Sequence, residues 1–162
     1  MITKIKENVF QLSFSKFGSC IYLVLMENDK IIIDTSSKEN QEELLKDLQE
    51  LKIEPEEIKI VLLTHNHWDH TSNLSLFSSA KVYDANNIEK MPIKKIKTIK
   101  TPGHSKDSLS FLYKDVLFSG DTLFYRGGRG RTDLPGGSEP AIIQSIKKLK
   151  KIKFKILCPG HI

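Results

Sequence analysis

Short apolar runs in the first half of the chain predict β-strands, and a longer periodic stretch between them predicts an amphipathic helix. The strands are expected at 8–14, 21–26, 30–33 and 60–63, where apolar residues are bounded by turn-forming residues. Four leucines recur at helical spacing after the third run: Leu44, Leu45, Leu48 and Leu51. They predict a helix from about 38 to 52, with Ser36 and Glu39 spaced as a capping box. This order predicts a βαβ unit.

The second half, which begins near Lys81, predicts further strands and one more amphipathic helix. The strands lie around Val82, Ile96, Leu109 and Val116, with a last one at 155–157. A tight turn at 114–115 joins the strands at Leu109 and Val116. The helix is expected from 138 to 150 with Ser138 as its N-cap. Its apolar face carries Ile142, Ile143, Ile146 and Leu149.

Three of the five histidines fall in one run, which contains His65, His67, Asp69 and His70. Positions i and i+2 of an extended segment point the same way, so His65, His67 and Asp69 should face one point. His70 should turn in from the bend that follows. We therefore interpret this run as a set of metal ligands.

Three further ligand candidates follow later apolar runs. His104 and His161 each come after a Pro-Gly step, and we expect each step to be a sharp turn that aims its histidine. Asp121 follows the run at 116–118. Each ligand group thus comes directly after a predicted buried strand. We expect all of them beyond the C-terminal ends of strands, where layered α/β folds build their sites.

The whole pattern resembles the metallo-β-lactamase superfamily. The residues that carry the resemblance are His65, His67, Asp69, His70, His104, Asp121 and His161. The stretch 31–35 resembles that family's early strand, which ends in a structural Asp, here Asp34. The stretches 119–124 and 130–133 are similar to glyoxalase II and its single-domain relatives, and the second also to persulfide dioxygenases. The resemblance implies an α/β fold: a four-layer αββα sandwich forming one compact domain, 1–162.

The resemblance also implies a dinuclear metal centre, and seven ligands exceed what one tetrahedral zinc needs. The first of two divalent metal ions would be held by His65, His67 and His104. The second would be held by Asp69, His70 and His161, and Asp121 would bridge the two. Zinc is the expected metal, with iron or manganese as alternatives. A metal-bridging hydroxide would attack a carbonyl carbon, which makes Asp69 and Asp121 the candidate catalytic residues.

A thioester suits such a centre, because a thiolate leaves easily and binds borderline metals well. We therefore expect a thioesterase similar to glyoxalase II (hydroxyacylglutathione hydrolase). The printed sequence ends one residue after His161, without the helical domain that helps glyoxalase II bind glutathione, so the thiol stays open. One alternative is a mononuclear iron persulfide dioxygenase with His65, His104 and Asp121 as ligands. Another is a metal-binding protein of this fold without useful catalysis.

Charge adds information chiefly through arginine. The net charge of +5 comes mainly from scattered lysines, which we interpret as a solvated surface rather than a nucleic-acid site. All three arginines lie within 125–131, close after Asp121. Because the guanidinium group suits carboxylates and phosphates, Tyr125, Arg126 and Arg129 are candidate contacts for a small anionic substrate. For Arg131, pairing with Asp133 to shape the loop is an equal alternative.

The remaining features indicate a cytoplasmic protein. No stretch of ~20 apolar residues is present to span a membrane, and the first seven residues lack the apolar core of a signal peptide. Cys20 and Cys158 lie in apolar runs, where we expect buried free thiols. The sequence makes no prediction of the oligomeric state.

Overall fold

The computed structural model describes all residues, 1–162, and divides them into two compact units, 1–83 and 84–162. The division nearly coincides with the predicted halves. The difference is the strand around Val82, which pairs with the strands of the first unit. No helix in the chain combines the length and the hydrophobicity needed to cross a membrane. Cys20 and Cys158 are buried free thiols, as predicted.

The first unit contains a six-stranded sheet in which the strands lie side by side in chain order. They are β1 (Ile2–Lys6), β2 (Val9–Leu12), β3 (Ile21–Leu25), β4 (Lys30–Ile33), β5 (Ile58–Leu62) and β6 (Lys81–Tyr83). The first four are antiparallel, whereas β5 runs parallel to both β4 and β6. Helix α1 (Gln41–Glu50) connects β4 to β5, which confirms the predicted βαβ unit. Strand β1 was not predicted.

The remaining helical segments of the first unit are short. A single turn, α2 (Trp68–Thr71), follows β5, and 3₁₀ turns occupy Lys38–Asn40, Pro55–Glu57 and Leu74–Phe77. The last of these turns buries Phe77. All of these turns lie in connections between strands, where they position the chain as it leaves the sheet.

Helix α1 begins later than predicted, and the proposed capping box of Ser36 and Glu39 was wrong. Residues 38–40 form a 3₁₀ turn, and Asn40 stands at the N-cap of α1. Ser36 has φ 60°, and its buried hydroxyl accepts a hydrogen bond from the Asn40 side chain at 3.1 Å. Its hydroxyl therefore serves a buried polar cluster before the helix rather than the helix terminus.

The apolar face of α1 covers one face of the first sheet. Leu44 and Leu48 are fully buried against Leu23, Ile32 and Val61 of the central strands. Burying a leucine side chain contributes about 1.5 to 3 kcal/mol each. The helix is therefore fixed to the sheet by packing, and its own residues carry little intrinsic stability.

The second unit contains a four-stranded sheet whose strands also lie side by side in chain order. Its strands are β7 (Ile96–Lys100), β8 (Leu109–Tyr113), β9 (Val116–Gly120) and β10 (Ile156–Pro159). As predicted, β8 and β9 form a hairpin with its turn at 114–115, where Lys114 has φ 54°. Strand β10 runs parallel to β9. Two 3₁₀ turns lie at Ile88–Lys90 and Tyr125–Gly127.

Helix α3 (Glu139–Lys150) provides the crossover from β9 to β10. Ser138 is its N-cap as predicted, and the side-chain oxygen accepts a hydrogen bond from the backbone N–H of Ala141 at 3.4 Å. Leu149 packs against Leu117 and Leu123 in the core of the second unit. The crossover therefore delivers the chain into β10 and on to His161.

Replacing Leu48 by Ala should lower the free energy of unfolding by about 2 to 5 kcal/mol, because its side chain leaves a cavity between α1 and the sheet. Leu45→Ala is the matched control, since it removes the same atoms from the same helix. Leu48 is 1% exposed and Leu45 is 37% exposed, so the control should cost only roughly 0.5 kcal/mol. Urea denaturation of both variants measures the difference. Similar losses would show that α1 is not held by this packing.

Candidate metal centre

The predicted ligands follow strand ends in both units, as expected. In the first unit, His65 comes just after β5. In the second, His104 follows β7, Asp121 directly follows β9, and His161 follows β10. The side chains thus emerge where each strand leaves its sheet. The candidate ligands therefore lie at or close to the strand ends and not in long insertions.

The ligand run of the first unit is part extended and part helical. His65 and His67 face each other as predicted, with Nε2 of His65 3.1 Å from Nδ1 of His67. The prediction that Asp69 lies in the same extended segment was wrong. Asp69 and His70 both belong to the helical turn α2, which brings Oδ2 of Asp69 to 3.9 Å from Nε2 of His70. The ring centroids of His65 and His70 are 4.1 Å apart.

Asp34 fixes this run from the end of β4. Its Oδ1 accepts a hydrogen bond from the backbone N–H of Thr64 at 2.8 Å. Its Oδ2 accepts from the Thr64 hydroxyl and lies 2.8 Å from Nδ1 of His70. The carboxylate can only accept here, so Nδ1 of His70 carries the proton, and Nε2 keeps the lone pair that binds a metal. Asp34 was expected to be structural, but the part played by Thr64 was missed.

The second unit orients His104 in the same manner with a backbone group. Nδ1 of His104 lies 2.8 Å from the carbonyl oxygen of Arg131, which can only accept. Nε2 is therefore the atom available to a metal, and it lies 3.5 Å from Oδ2 of Asp121. Nε2 of His161 lies at the same distance, 3.5 Å, from that oxygen. Two imidazoles thus converge on one buried carboxylate.

Gly130 allows the Arg131 carbonyl to approach His104, a requirement that sequence reasoning missed. Its N–H donates to the backbone oxygen of Asp121 at 2.9 Å. A Cβ at this position would lie 2.7 Å from Nδ1 of His104 and would also collide with the Asp121 backbone. Only glycine fits this close approach. The glycines of the 125–131 stretch gave a general signal for such a loop, but not this contact.

The two Pro-Gly steps differ. Gly103 has φ 144°, and a Cβ there would collide with the backbone of Ile142 in α3, so the predicted sharp turn before His104 is confirmed. The chain also bends at Gly160, but there without a positive φ. Its N–H instead donates to the oxygen of Gly120 at 2.8 Å, which extends the pairing of β10 with β9. The pairing of β10 with β9 therefore positions His161.

The donor set fits a divalent transition metal. Imidazole nitrogens and carboxylate oxygens are ligands that zinc, iron and manganese accept. In metal sites a ligating histidine usually donates its other N–H to a carboxylate or a backbone carbonyl. His70 with Asp34 and His104 with Arg131 show these two arrangements. In both residues Nδ1 is held by an acceptor, and Nε2 faces another candidate ligand, Asp69 for His70 and Asp121 for His104.

The arginine loop is largely engaged in ion pairs. Arg131 makes a bidentate contact to Asp133 at 2.7 and 2.6 Å, which confirms the structural alternative for this residue. That guanidinium holds the pKa of Asp133 at about 2. Arg129 lies 2.5 Å from the carboxylate of Glu139 at the start of α3. Arg126 is exposed with φ 56° and makes no ion pair.

Tyr125 is also anchored, since its hydroxyl donates to the carbonyl oxygen of Leu157 at 3.0 Å. Nearly half of its surface nevertheless remains exposed. The structure thus leaves Tyr125 and Arg126 accessible, whereas the guanidinium of Arg129 already has a carboxylate partner. Their roles toward a substrate stay a prediction.

Comparison with known proteins identifies relatives over most of the chain. The family model described as the metallo-beta-lactamase superfamily matches residues 16–85 and 81–161. A probable metallo-hydrolase of Methanocaldococcus jannaschii is 32% identical over 143 residues, which cover 81% of this chain and 70% of that protein. A hydroxyacylglutathione hydrolase of Idiomarina loihiensis is 32% identical over 120 residues. That match covers 62% of this chain but only 46% of the hydrolase.

Solved structures agree with this result. TTHA1623, solved in a di-iron-bound form, has a TM-score of 0.77 at 25% identity and covers 94% of this chain and 92% of its own. ETHE1 from Myxococcus xanthus has a TM-score of 0.74 at 27% identity, with coverages of 94% and 74%. A metallo-beta-lactamase family protein from Thermus thermophilus reaches 0.80 at 17% identity, with coverages of 98% and 75%. The predicted fold class, an αββα sandwich of this type, is confirmed.

The family model extends over both units and includes all seven predicted ligands within its matched residues. The chain belongs to the metallo-β-lactamase superfamily.

Proposed function

We propose that this chain is a metal-dependent hydrolase that cleaves a thioester or a related ester, as glyoxalase II does. The observation that carries the proposal is the pair of oriented histidines, His70 held by Asp34 and His104 held by the Arg131 carbonyl. We also propose that both units act as one domain, 1–162, because the family model continues from one to the other. A cytoplasmic location and the lack of a nucleic-acid partner stay predictions.

Two divalent metal ions, with zinc as the proposed metal, would use all of the ligands. His65, His67 and His104 would hold one, Asp69, His70 and His161 would hold the other, and Asp121 would bridge. The di-iron form of TTHA1623 supports two metals in a related protein and leaves iron as an alternative. When bound, such ions lower the pKa of water to about 7 and polarise a carbonyl oxygen.

The chain's own residues would position the reactants and move the proton. Asp121 is buried, and the Nε2 atoms of His104 and His161 both lie close to one of its carboxylate oxygens. Its negative charge would offset the positive charge of the metal ions. Asp69 is held in place because its backbone oxygen accepts the N–H of Ser19 at 2.9 Å. Its carboxylate is the proposed acceptor of the proton released as the carbonyl is attacked.

A thioester is the favoured substrate within this class. The similarity to hydroxyacylglutathione hydrolase covers 62% of the chain, and a thiolate is both a good leaving group and a good ligand for a borderline metal. Because the match spans less than half of that hydrolase, the thiol is not carried over. We propose the thioester bond as the reacting group and leave the thiol open.

A second candidate, an iron-dependent persulfide dioxygenase, is favoured by the similarity of 130–133 to those enzymes. It would use His65, His104 and Asp121 as the ligands of a single iron. Metal analysis separates the two proposals. A hydrolase should bind close to two metals per chain and consume no oxygen, whereas one tightly bound iron with oxygen uptake would favour the dioxygenase. Two bound metals without any turnover would favour a protein that only binds metal.

For substrate recognition, we propose that Tyr125, Arg126 and Arg129 contact an anionic group of the substrate. Arg126 is the strongest candidate of the three because its side chain is exposed and makes no ion pair. Arg129 would have to exchange or share its contact with Glu139. Tyr125 would contribute its exposed ring face, since its hydroxyl is engaged by Leu157.

Asp121→Asn should reduce thioester hydrolysis by at least ~100-fold, because it keeps the side-chain shape but removes the charge that the metals require. The far-UV circular dichroism should not change, since Asp121 contributes to no apolar core. Hydrolysis of a simple thioester by metal-loaded protein provides the measurement. The conservative control is Ser119→Ala, which removes a buried hydroxyl from β9, the strand that ends directly before Asp121. Turnover of Asp121→Asn near the wild-type level would remove Asp121 from the mechanism.

Arg126→Ala should lower kcat/KM for a carboxylate-bearing thioester roughly ten- to a hundredfold, through loss of one charge-assisted contact. A neutral thioester of the same size should lose little. Arg131→Ala is the matched control in the same loop, because Arg131 is already occupied by Asp133. It should affect both substrates equally, as should any variant that acts only on loop structure. Equal losses for Arg126→Ala on both substrates would show that Arg126 supports the structure of the loop and does not contact the substrate.

A further inference from the structure

Strand β10, which leads to the candidate ligand His161, lies at the edge of the second sheet. It has four residues and pairs with β9 alone. The N–H of Ile156 donates to the backbone oxygen of Asp115 at 3.1 Å, so the backbone groups of Ile156 point toward β9. Successive residues of a strand point these groups to opposite sides, and the carbonyl oxygen of Leu157 therefore points away from β9. The ladder between the two strands gives this oxygen no partner.

Tyr125 supplies that partner from the loop after β9. Its hydroxyl donates to the Leu157 oxygen at 3.0 Å. Residue 125 comes only four positions after Asp121, so the chain passes directly from the end of β9 to the free edge of β10. Backbone hydrogen bonds close the turn, from Phe124 to the oxygen of Gly128 at 2.6 Å and from Gly128 to the oxygen of Tyr125 at 3.1 Å. The loop backbone thus fixes the position of the tyrosine.

The residue before this tyrosine contacts the candidate ligand itself. The ring centroids of Phe124 and His161 are 6.2 Å apart with an interplanar angle of 83°, an edge-to-face contact. Nε2 of the same imidazole lies 3.5 Å from Oδ2 of Asp121. The side chain of His161 is 25% exposed, whereas those of His70 and His104 are 0% and 5% exposed. Burial does less to fix this ring, so the contacts of its strand and loop matter more.

A tyrosine on an edge strand can serve only to keep that edge from pairing with another chain. Two features of β10 indicate a role toward the candidate ligand as well. The register with β9 shifts between Cys158 and Pro159, and a proline has no N–H to donate to a ladder. The ladder is therefore weak in the stretch that leads from Leu157 to His161. A contact from outside the sheet has most effect in such a place.

We propose that Tyr125 is a positioning residue for His161. Its hydroxyl holds the free edge of β10 and so keeps the imidazole between Phe124 and Asp121. This inference rests on the proposed function, in which His161 binds one of two metal ions. It gives the hydroxyl of Tyr125 a role separate from that of the exposed ring face. Loss of the hydroxyl should weaken the ion that His161 binds and leave the other ion unaffected.

Tyr125→Phe removes only the hydroxyl, and competition with a chelator measures the two steps of zinc binding. His161→Ala identifies the step that belongs to its ion. Loss of one hydrogen bond should weaken that step roughly three- to tenfold and leave the other step unchanged. The matched control is Tyr113→Phe, which removes the same atom from the same unit. Tyr113 pairs with Val116 at the start of β9, the end of the sheet away from the candidate ligands, so both steps should be unchanged.

A double variant shows whether Tyr125 acts through His161. In His161→Ala three proposed ligands of the same ion remain, Asp69, His70 and Asp121, so its binding should be weakened by at least about tenfold but stay measurable. Adding Tyr125→Phe to His161→Ala should then have no further effect. A purely structural role would instead produce the same loss in both backgrounds, or weaken both steps of zinc binding.

Either of those results would overturn the proposal, as would an unchanged zinc affinity in Tyr125→Phe. If His161→Ala itself binds zinc as wild-type protein does, the assignment of His161 as a ligand fails, and this inference fails with it. None of these measurements requires turnover. Failure of the proposed hydrolase function would therefore appear separately, as wild-type protein that binds two zinc ions and cleaves no thioester.

Discussion

The arrangement of the candidate ligands in the first unit depends on one buried carboxylate, Asp34. It is 2% exposed, and burying a charged carboxylate is unfavourable unless hydrogen bonds replace water. Three groups do so: the N–H and hydroxyl of Thr64, and the ring N–H of His70. Asp34 also adopts φ 60°, a left-handed conformation that costs free energy in a residue other than glycine. The hydrogen bonds offset this cost and tie the end of β4 to the ligand run that follows β5.

The residues after Asp34 extend the same contact to α2. The N–H of Thr35 donates to the oxygen of His70 at 2.7 Å, and the N–H of Ser72 donates to the oxygen of Ser36 at 3.1 Å. Ser37 and Asn40 in turn hold the loop that carries Phe17 through hydrogen bonds to Lys16 and Phe17. One polar segment, 34–40, therefore orients the histidine ring, fixes the helical turn and positions an exposed aromatic side chain. The second unit reaches a comparable orientation of His104 through a backbone carbonyl and a glycine.

Elements with strong local patterns could be predicted from the sequence. Strand β4 has the predicted bounds, and the hairpin turn at 114–115 and the Ser138 cap are confirmed, because each depends on neighbouring residues. Strand β1 was missed because Ile2–Lys6 lies at a sheet edge, where its residues are exposed or only partly buried and show no regular alternation. The helical turn at Asp69 was missed because four residues are too few for a 3.6-residue period to appear.

The candidate ligands could be located for a different reason: each follows a strand that the apolar pattern predicts. Their orientation was not, because it depends on contacts distant in sequence, such as Asp34 with His70 and Arg131 with His104. The same holds for Arg129, whose partner Glu139 belongs to another element. A sequence pattern can place such side chains at a strand end or in a loop, but it does not identify the atom that each one meets.

The most direct test of this account is the zinc affinity of an Asp34→Asn variant, measured by competition with a chelator. The amide keeps the size of the side chain but can accept hydrogen bonds at only one of its two positions, so either Thr64 or His70 loses its acceptor. Loss of an outer partner of a metal ligand typically weakens metal binding about 10- to 100-fold. We predict a loss of that size with unchanged circular dichroism. A variant that binds zinc as tightly as the unmodified chain would show that Asp34 does not organise the candidate metal ligands.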